Sequence, residues 1–373
     1  RMGALFGRAG TVFALLTALA VLSGCQSSSP AGALESVEPP ADASTPAAPP
    51  SVGQGVQIAL FMDAGMGGAA DDYRDGALLA AKALGGGTLA LTVHDLRGKP
   101  GDAAAQVKGQ LAADTRFLIG SASLGKAFKG VAANPAVVLL GSEPQPGSVA
   151  IVSDEIDAAL EAATYAAGQG QSKIMVVATR PLSKAQEQRL RAGMTKGGAQ
   201  LLGIVTDPGS SAGQKSLEKL GEAQAVLLLG AEAPSVVAPA LRQRGGLGAQ
   251  VPFLGSHAWP SGNYGEPALE GSLLALIDQT SLKRISKRFE QAYGRPLSLE
   301  AAYGFDAVAV AAGLARTKGG QTISADALRG SAGFAGATGV FRFGPDGRVE
   351  RRLAIYRLKG GKPTLQRSAP AGF

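Results

Sequence analysis

The chain has 373 residues, of which 45% are hydrophobic and 17% are charged, and its formal net charge is +7. Aromatic residues make up 5% of the chain and the basic residues are spread along it, so we expect no nucleic-acid partner. Cys25 is the only cysteine, and there are two histidines. These counts exclude an intrachain disulfide and a His/Cys metal cluster, and we expect no metal site.

Residues 1–24 have the pattern of an export signal. Arg1 and Arg8 form a short basic region before an apolar run, 11–22. This run is too short to span a hydrocarbon core of about 30 Å as a stable helix. The run ends in Leu-Ser-Gly-Cys, which resembles a bacterial lipobox. That resemblance implies cleavage before Cys25, a lipid anchor on its thiol and a place in the periplasm. Gln26 in place of an aspartate favours the outer membrane; the alternative is an ordinary signal peptide with a chance cysteine.

Residues 25–55 are predicted to form a disordered tether. Residues 26–55 contain six prolines among Ala, Ser and Thr. They lack the apolar periodicity that would let them bury a face against a core. We expect this tether to hold a globular body away from a membrane surface.

From residue 56 onward, short apolar runs alternate with amphipathic stretches. The predicted strands are 56–62, 88–95, 116–120, 136–141, 173–179, 200–206, 225–230 and 251–255. The predicted helices are 73–84, 102–113, 125–133, 155–168, 184–196, 214–221, 234–244, 282–294 and 299–317. Alternation of this kind predicts an α/β fold with parallel sheets and helices on both faces.

A body of this length exceeds what one hydrophobic core usually holds, which predicts two lobes. We place lobe one at 56–150 and 279–330, and lobe two at 151–278 and 331–373, with crossings near 148–154 and 273–278. A closing hairpin-like segment, "GVFRFGPDGRVERRLAIYRLKGGKP", has turns at Pro345-Asp346-Gly347 and Gly360-Gly361. Two doubly wound lobes joined by several passes would form a hinge with a cleft between them.

Several segments, taken in order, resemble one family. They are "IALFMDAGMGGAADDYRDGALLAAKAL", "LTVHDLRGKPGDAAAQVKGQL", "FLIGSAS", "VVLLGSE", "AAYGFDAVAVAAGLA" and the closing segment. Together they resemble the type I periplasmic-binding fold, in its branch of branched-chain amino-acid-binding proteins. That resemblance implies a non-enzymatic protein that captures a ligand between two lobes.

The glycine-rich loop of the first of these segments also fits dinucleotide spacing, with Gly65, Gly67 and Ala70. A pyrophosphate needs free backbone N–H groups and a positive helix end. Asp71, Asp72 and Asp75 crowd the first turns of the helix that follows. We interpret them as a solvated helix start that would repel a phosphate, and we expect no cofactor.

The stretch "GSSAG", 209–213, matches a nucleophile elbow with Ser211 at its centre. The chain order of such a triad requires an acid and then a histidine. The only later histidine is His257, and the acids between it and Ser211 are glutamates, such as Glu218, Glu222 and Glu232, with no aspartate. A helix-capping loop at Ser210 or Ser211 explains the stretch better, so we expect no enzyme activity.

Ligands of open α/β sheets bind at the carboxyl ends of the strands. In lobe one these ends carry Ser121 and Ser123, then Ser142 and Glu143. The resemblance implies that hydroxyls at these loops hold a ligand carboxylate. The alternative is that the serines cap turns.

Lobe two departs from the family pattern. The stretch "TRPLSKA" follows its first strand, and His257 stands in "GSHAW" where amino-acid binders place an acid. An imidazole cannot replace a carboxylate as the partner of an ammonium group. Arg180 and His257 therefore favour a small polar or anionic ligand, and Trp259 is predicted to stack on a ring. The alternatives are a surface charge for Arg180 and hinge packing for Trp259.

Two functions follow from these features. The first is a lipid-anchored receptor that delivers a small solute to an ABC permease. The second is an outer-membrane lipoprotein that activates a penicillin-binding protein, which the proline-rich tether and the altered ligand loops favour.

Overall fold

The structure is a computed structural model that describes residues 48–318 and 323–373. The predicted signal peptide, Cys25 and most of the predicted tether lie outside these residues. Ala48–Phe373 forms one compact unit.

The described residues contain two large sheets and one small sheet. The strands are β1 Ser51–Gly53, β2 Val56–Met62, β3 Leu89–Asp95, β4 Thr115–Gly120, β5 Ala136–Leu139, β6 Val149–Ala150, β7 Lys173–Ala178, β8 Gln200–Val205, β9 Ala225–Leu229, β10 Phe253–Ser256, β11 Leu273–Leu276, β12 Phe334–Gly336, β13 Gly339–Phe343, β14 Val349–Arg351, β15 Ala354–Lys359 and β16 Lys362–Arg367. Each predicted strand is confirmed, with ends that differ by at most two residues.

The helices of the described residues lie mostly between these strands. They are α1 Ala70–Leu84, α2 Ala103–Gln110, α3 Gly125–Lys129, α4 Glu155–Gly168, α5 Lys184–Lys196, α6 Ser211–Ser216, α7 Ala238–Arg244, α8 Gln279–Tyr293 and α9 Leu299–Lys318. The predicted bounds of α4 and α5 are confirmed to the residue. The prediction of one helix over 214–221 is wrong in detail, because α6 ends at Ser216 and a 3-10 segment, Leu217–Glu222, continues it.

The first sheet has the strand order β1-β3-β2-β4-β5-β6. Its strands are parallel except β1, which pairs antiparallel with β3. The second sheet has the order β16-β15-β11-β10-β9-β7-β8, with an antiparallel hairpin of β15 and β16 at the edge beside β11. The central strands are buried on both faces, as in β4 and β9. This explains why they read as continuous apolar runs rather than alternating ones.

The closing segment is two hairpins rather than one. The turn at Pro345-Asp346-Gly347 joins β13 to β14 in a small sheet of order β12-β13-β14. The turn at Gly360-Gly361 joins β15 to β16 at the edge of the second sheet. The small sheet lies beside β6, since Ala150 forms an isolated bridge with Arg348.

Three chain crossings place the carboxyl edges of the two large sheets next to each other. In the first crossing, β6 ends at the carboxyl edge of the first sheet, and α4 begins a few residues later. Since α4 leads to the amino end of β7 and packs on β9, β10 and β11, its N-terminus lies at the carboxyl edge of the second sheet. The second crossing runs from β11 to α8 and the third from β14 to β15.

The helices α1 and α9 of the first sheet pack against each other along their length. Two glycines permit this approach, since a Cβ at Gly76 would overlap the carbonyl of Ala301 and one at Gly304 would overlap the carbonyl of Tyr73. The contact is therefore backbone against backbone. It holds together two helices that are far apart in the chain and fixes one wall of the first sheet.

We expect Gly76→Ala to destabilise the protein by at least about 2 kcal/mol, because the added methyl group forces two buried helices apart. Gly109→Ala is the matched control, since Gly109 lies in α2 and a Cβ there would meet no heavy atom within 4 Å outside its own helix. It should be neutral or stabilising by less than about 1 kcal/mol. Urea unfolding of both variants checks this; equal midpoints would contradict it.

Candidate functional site

The carboxyl edge of the first sheet brings Ser121, Ser123 and Asp63 together. Ser121 follows β4 and is 3% exposed, and its Oγ lies 2.5 Å from Oγ of Ser123. Ser123 Oγ donates in turn to Oδ2 of Asp63, the residue that follows β2. The two predicted serines are therefore neighbours, and the hydroxyl of Ser123 links the hydroxyl of Ser121 to an acid of the chain itself.

Ser142 and Glu143 lie on the loop that follows β5. Ser142 is half-buried and Glu143 is exposed. The loop is tied to the first crossing, because Val152 N donates to Gly141 O at 3.0 Å. Both residues are thus at the same sheet edge as the serine pair, close to the hinge.

The carboxyl edge of the second sheet converges on Glu155, the first residue of α4. Its Oε1 accepts a hydrogen bond from the backbone N–H of Gly230, after β9, at 2.5 Å. Its Oε2 forms an ion pair with Nη2 of Arg180, after β7, at 3.1 Å. Arg180 is therefore neither a free surface charge nor a free anion partner, because its charge is compensated within the sheet edge.

His257 follows β10 at the same edge and is half-buried. Burial lowers its pKa, and Arg351 lowers it further, although the carboxylate of Glu155 opposes both effects. At neutral pH the imidazole is thus held in its neutral form, which gives it hydrogen-bonding capacity but no positive charge.

Trp259 lies behind this edge rather than on it. The residue is 2% exposed, and Nε1 donates to the carbonyl of Leu228 in β9 at 3.2 Å. Its ring belongs to the apolar cluster that includes Phe253 and Leu274. In this conformation the indole supports the wall and has almost no surface on which a ligand could stack.

A buried polar network at the hinge positions both edges. Arg351, 7% exposed, donates from Nη1 to Ser153 Oγ at 2.6 Å and from Nη2 to the carbonyl of Ile151 at 2.9 Å. Its Nε donates to Thr338 Oγ1 at 2.9 Å, and that hydroxyl donates to the carboxylate of Asp306. The first and third crossings are thereby bonded to each other.

Asp306 is fully buried in α9. Burial raises its pKa to about 6, while Arg351 and the donors of Thr338 and Ala337 favour the ionised form to a smaller extent. The Phe-Asp-Ala stretch of the family-like segment "AAYGFDAVAVAAGLA" thus belongs to the hinge network and not to the two sheet edges.

The residues rejected as nucleotide or esterase sites have other partners. Asp72 and Asp75 pair with Arg295 at 2.5 and 3.0 Å. Asp75 is only 5% exposed, so the interpretation of a solvated helix start is wrong for it. In "GSSAG", Ser210 caps α6 by accepting from Gly213 N at 3.0 Å, which confirms the capping loop.

Asp63, Glu155 and Gly230 are site residues that sequence reasoning missed. Asp63 and Gly230 directly follow apolar runs, and this position was the available signal. Glu155 directly follows the helix cap Asp154, so the sequence indicated only an acid in the first turn of a helix. Its partners lie 25 and 75 residues away in the chain.

Two further properties of the described residues bear on function. Within 48–318 and 323–373, no group of three or more His, Cys, Asp or Glu side chains is placed to hold a metal ion. In the same ranges, no helix combines the length and hydropathy that a membrane crossing requires.

A family model described as "Periplasmic binding protein" matches residues 60–362. The match covers most of the chain, and the chain belongs to this family. No match was found among curated protein sequences.

Solved structures of low sequence identity share the fold. A candidate branched-chain amino acid ABC transporter of Rhodospirillum rubrum is 20% identical, with a TM-score of 0.67 over 84% of this chain and 100% of that one. A leucine-binding protein of Thermotoga maritima is 17% identical, with a TM-score of 0.57 over 84% and 98%. A solute-binding protein of Rhodopseudomonas palustris in complex with benzoate is 16% identical, with a TM-score of 0.55 over 86% and 97%.

The hinge network predicts a pH dependence of stability. Because the pKa of Asp306 is raised from 3.8 to about 6 on folding, the folded state binds this proton more tightly than the unfolded state. The stabilising contribution of Asp306 is complete below pH 4 and is lost as pH rises through about 6. Its loss lowers the free energy of unfolding by up to about 3 kcal/mol. The free energy of unfolding should therefore fall over this range.

Asp306→Asn is the variant that isolates this contribution, measured by urea unfolding at pH 4, 5, 6 and 7. The difference between wild type and variant should shrink as pH rises. The pKa of Asp157 is also raised to about 6, but this group is common to both proteins and cancels in the difference. A difference that grows with pH would show that Arg351 keeps Asp306 ionised instead.

Proposed function

We propose that this chain is an extracytoplasmic solute-binding protein that captures a small polar ligand between its lobes and presents it to an ABC permease. The observation that supports this most is the meeting of two carboxyl edges across three crossings, each edge lined with polar side chains. Membership of the periplasmic-binding family and the fold shared with ABC solute-binding proteins agree with it.

In this proposal the lobes close because the ligand bridges both edges and stabilises the closed form more than the open one. The first-sheet edge would contribute Asp63 and the loops of Ser121, Ser123, Ser142 and Glu143. The second-sheet edge would contribute Glu155, Arg180 and His257. Trp259 would hold the second edge from behind. The function would be binding, with no chemical step on the ligand.

A thermal-shift screen of amino acids, amides, amines and carboxylates tests the proposal. A ligand present at 100 times its Kd should stabilise the protein by about 2.7 kcal/mol. Glu155→Gln should lower the affinity for that ligand at least about 10-fold, because the substitution removes the charge that holds Arg180 and Gly230 in place.

Glu218→Gln is the matched control. Glu218 is exposed and lies on the segment that leads into the amino end of β9, away from the site. It should leave affinity unchanged. A folded protein that responds to nothing in the screen would count against the receptor.

We further propose that Cys25 is acylated and anchors the body to the outer membrane. Labelling of cells with an alkyne fatty acid should mark the chain, and Cys25→Ser should abolish the label and release the protein from membrane fractions. Density separation of the membranes should recover the label in the outer-membrane fraction. An unlabelled wild-type chain would rule out the anchor.

A second candidate function is a lipoprotein that binds and activates a penicillin-binding protein. It is favoured by the internal pairing of Ser121, Ser123 and Arg180, which leaves fewer groups free for a solute. Crosslinking in cells separates the two functions: capture of a peptidoglycan synthase supports this role, and capture of permease subunits supports the receptor.

A further inference from the structure

The geometry points to Asp63 as the residue that selects ligands by their charge. We propose that the first-sheet edge binds a cationic group, an ammonium or amidinium, and rejects a carboxylate. This inference rests on the proposed solute-binding function.

The hydroxyl donors of this edge are already used. Each serine hydroxyl has one proton to donate. Ser123 gives its proton to Oδ2 of Asp63, so the proton of the 2.5 Å contact between the two serines must come from Ser121. No hydroxyl proton of the pair is left for a ligand carboxylate. Asp63 already accepts the proton that Ser123 would otherwise donate to such a carboxylate.

The carboxylate of Asp63 is itself incompletely satisfied. Its Oδ1 is buried and has no hydrogen-bond partner. The ion pairs among the described residues include those of the nearby Asp71 and Asp95, which share Arg97, but none involves Asp63. An unpaired carboxylate oxygen that is shielded from water destabilises the protein. An incoming N–H donor with a positive charge would recover this energy.

A glycine opens the approach to this carboxylate. Gly65 is exposed, and a Cβ at this position would overlap Ser123 Oγ and lie 2.9 Å from Ser121 Oγ and 3.2 Å from Oδ2 of Asp63. Any other residue would cover the serine–aspartate cluster. With glycine there, a small shift of the loop exposes Oδ1 to a ligand in the cleft.

The other charged groups at the two edges agree with a cationic ligand. Glu143 lies exposed on the loop after β5. Across the cleft, the charges of Glu155 and Arg180 cancel, and burial keeps His257 neutral. Of the charged side chains named so far at the two edges, Asp63, Glu143, Glu155 and Arg180, only the carboxylates of Asp63 and Glu143 take part in no ion pair with another described residue. This reverses the expectation of an anionic ligand that Arg180 and His257 raised in the sequence.

Matched pairs of probes test the inference on the purified full chain by thermal shift and calorimetry. The pairs are benzamidine and benzoate, butylamine and butyrate, and leucinamide and leucine. We expect the wild type to bind the cation of at least one pair at least about 10-fold more tightly than its partner. Asp63→Asn should lose that preference, and Asp63→Ser, which frees the serine pair, should gain affinity for the carboxylate.

Asp95→Asn is the control variant. Asp95 ends the neighbouring strand β3 at the same edge, but its charge is paired with Arg97 at 2.7 Å, so the preference should persist. A wild type that prefers the carboxylates overturns the inference and leaves the solute-binding function standing, even if the Asp63 variants do not fold. A wild type that binds no member of any pair overturns the inference. If it also fails the wider screen, the proposed function falls too.

Discussion

The buried guanidinium of Arg351 is the interaction on which the arrangement of the two lobes depends. Its three donor nitrogens reach the first crossing through Ser153 and Ile151 and the small sheet through Thr338. Its plane lies over the rings of Tyr303 and Phe341, at 5.0 and 5.2 Å from their centres. A buried charge is tolerated only when it is bonded in this way, and removal of one partner would leave another charge uncompensated.

This network also explains why the candidate site lies where it does. Ser153, which Arg351 holds, is two residues before Glu155, which organises the second edge. The same guanidinium contributes to the lowered pKa of His257. The position of the hinge and the electrostatics of the second-sheet edge therefore share one residue, so a change at Arg351 would alter both. The glycine contact between α1 and α9 adds a second constraint, on two helices that pack against the first sheet.

Much of the fold could be predicted because its strands are buried on both faces and its longer helices carry clear caps. Ser183 and Gln186 form a capping box at the start of α5, and Asp154 caps α4; both helices were placed to the residue. Strands of two or three residues, such as β1, β6 and β12, carry no periodicity and were missed. The length of the body predicted two lobes, and the family resemblance implied the same organisation.

The site was less predictable, because the partners of its charges are distant in the chain. The serines were placed at the correct sheet edge, but Asp63 lies 60 residues before Ser123. The sequence predicted that Arg180 would bind an anion, but in the fold its guanidinium pairs with the carboxylate of Glu155. Charge pairing of this kind follows from strand order and loop conformation, which a single sequence does not reveal.

The burial of Trp259 has a practical consequence. Since this is the only tryptophan of the chain and it packs within the second sheet, indole emission monitors the melting of that half of the molecule alone. Circular dichroism monitors both halves together. Different unfolding midpoints from the two signals would show that one half unfolds before the other. The order of the two midpoints would identify which half unfolds first.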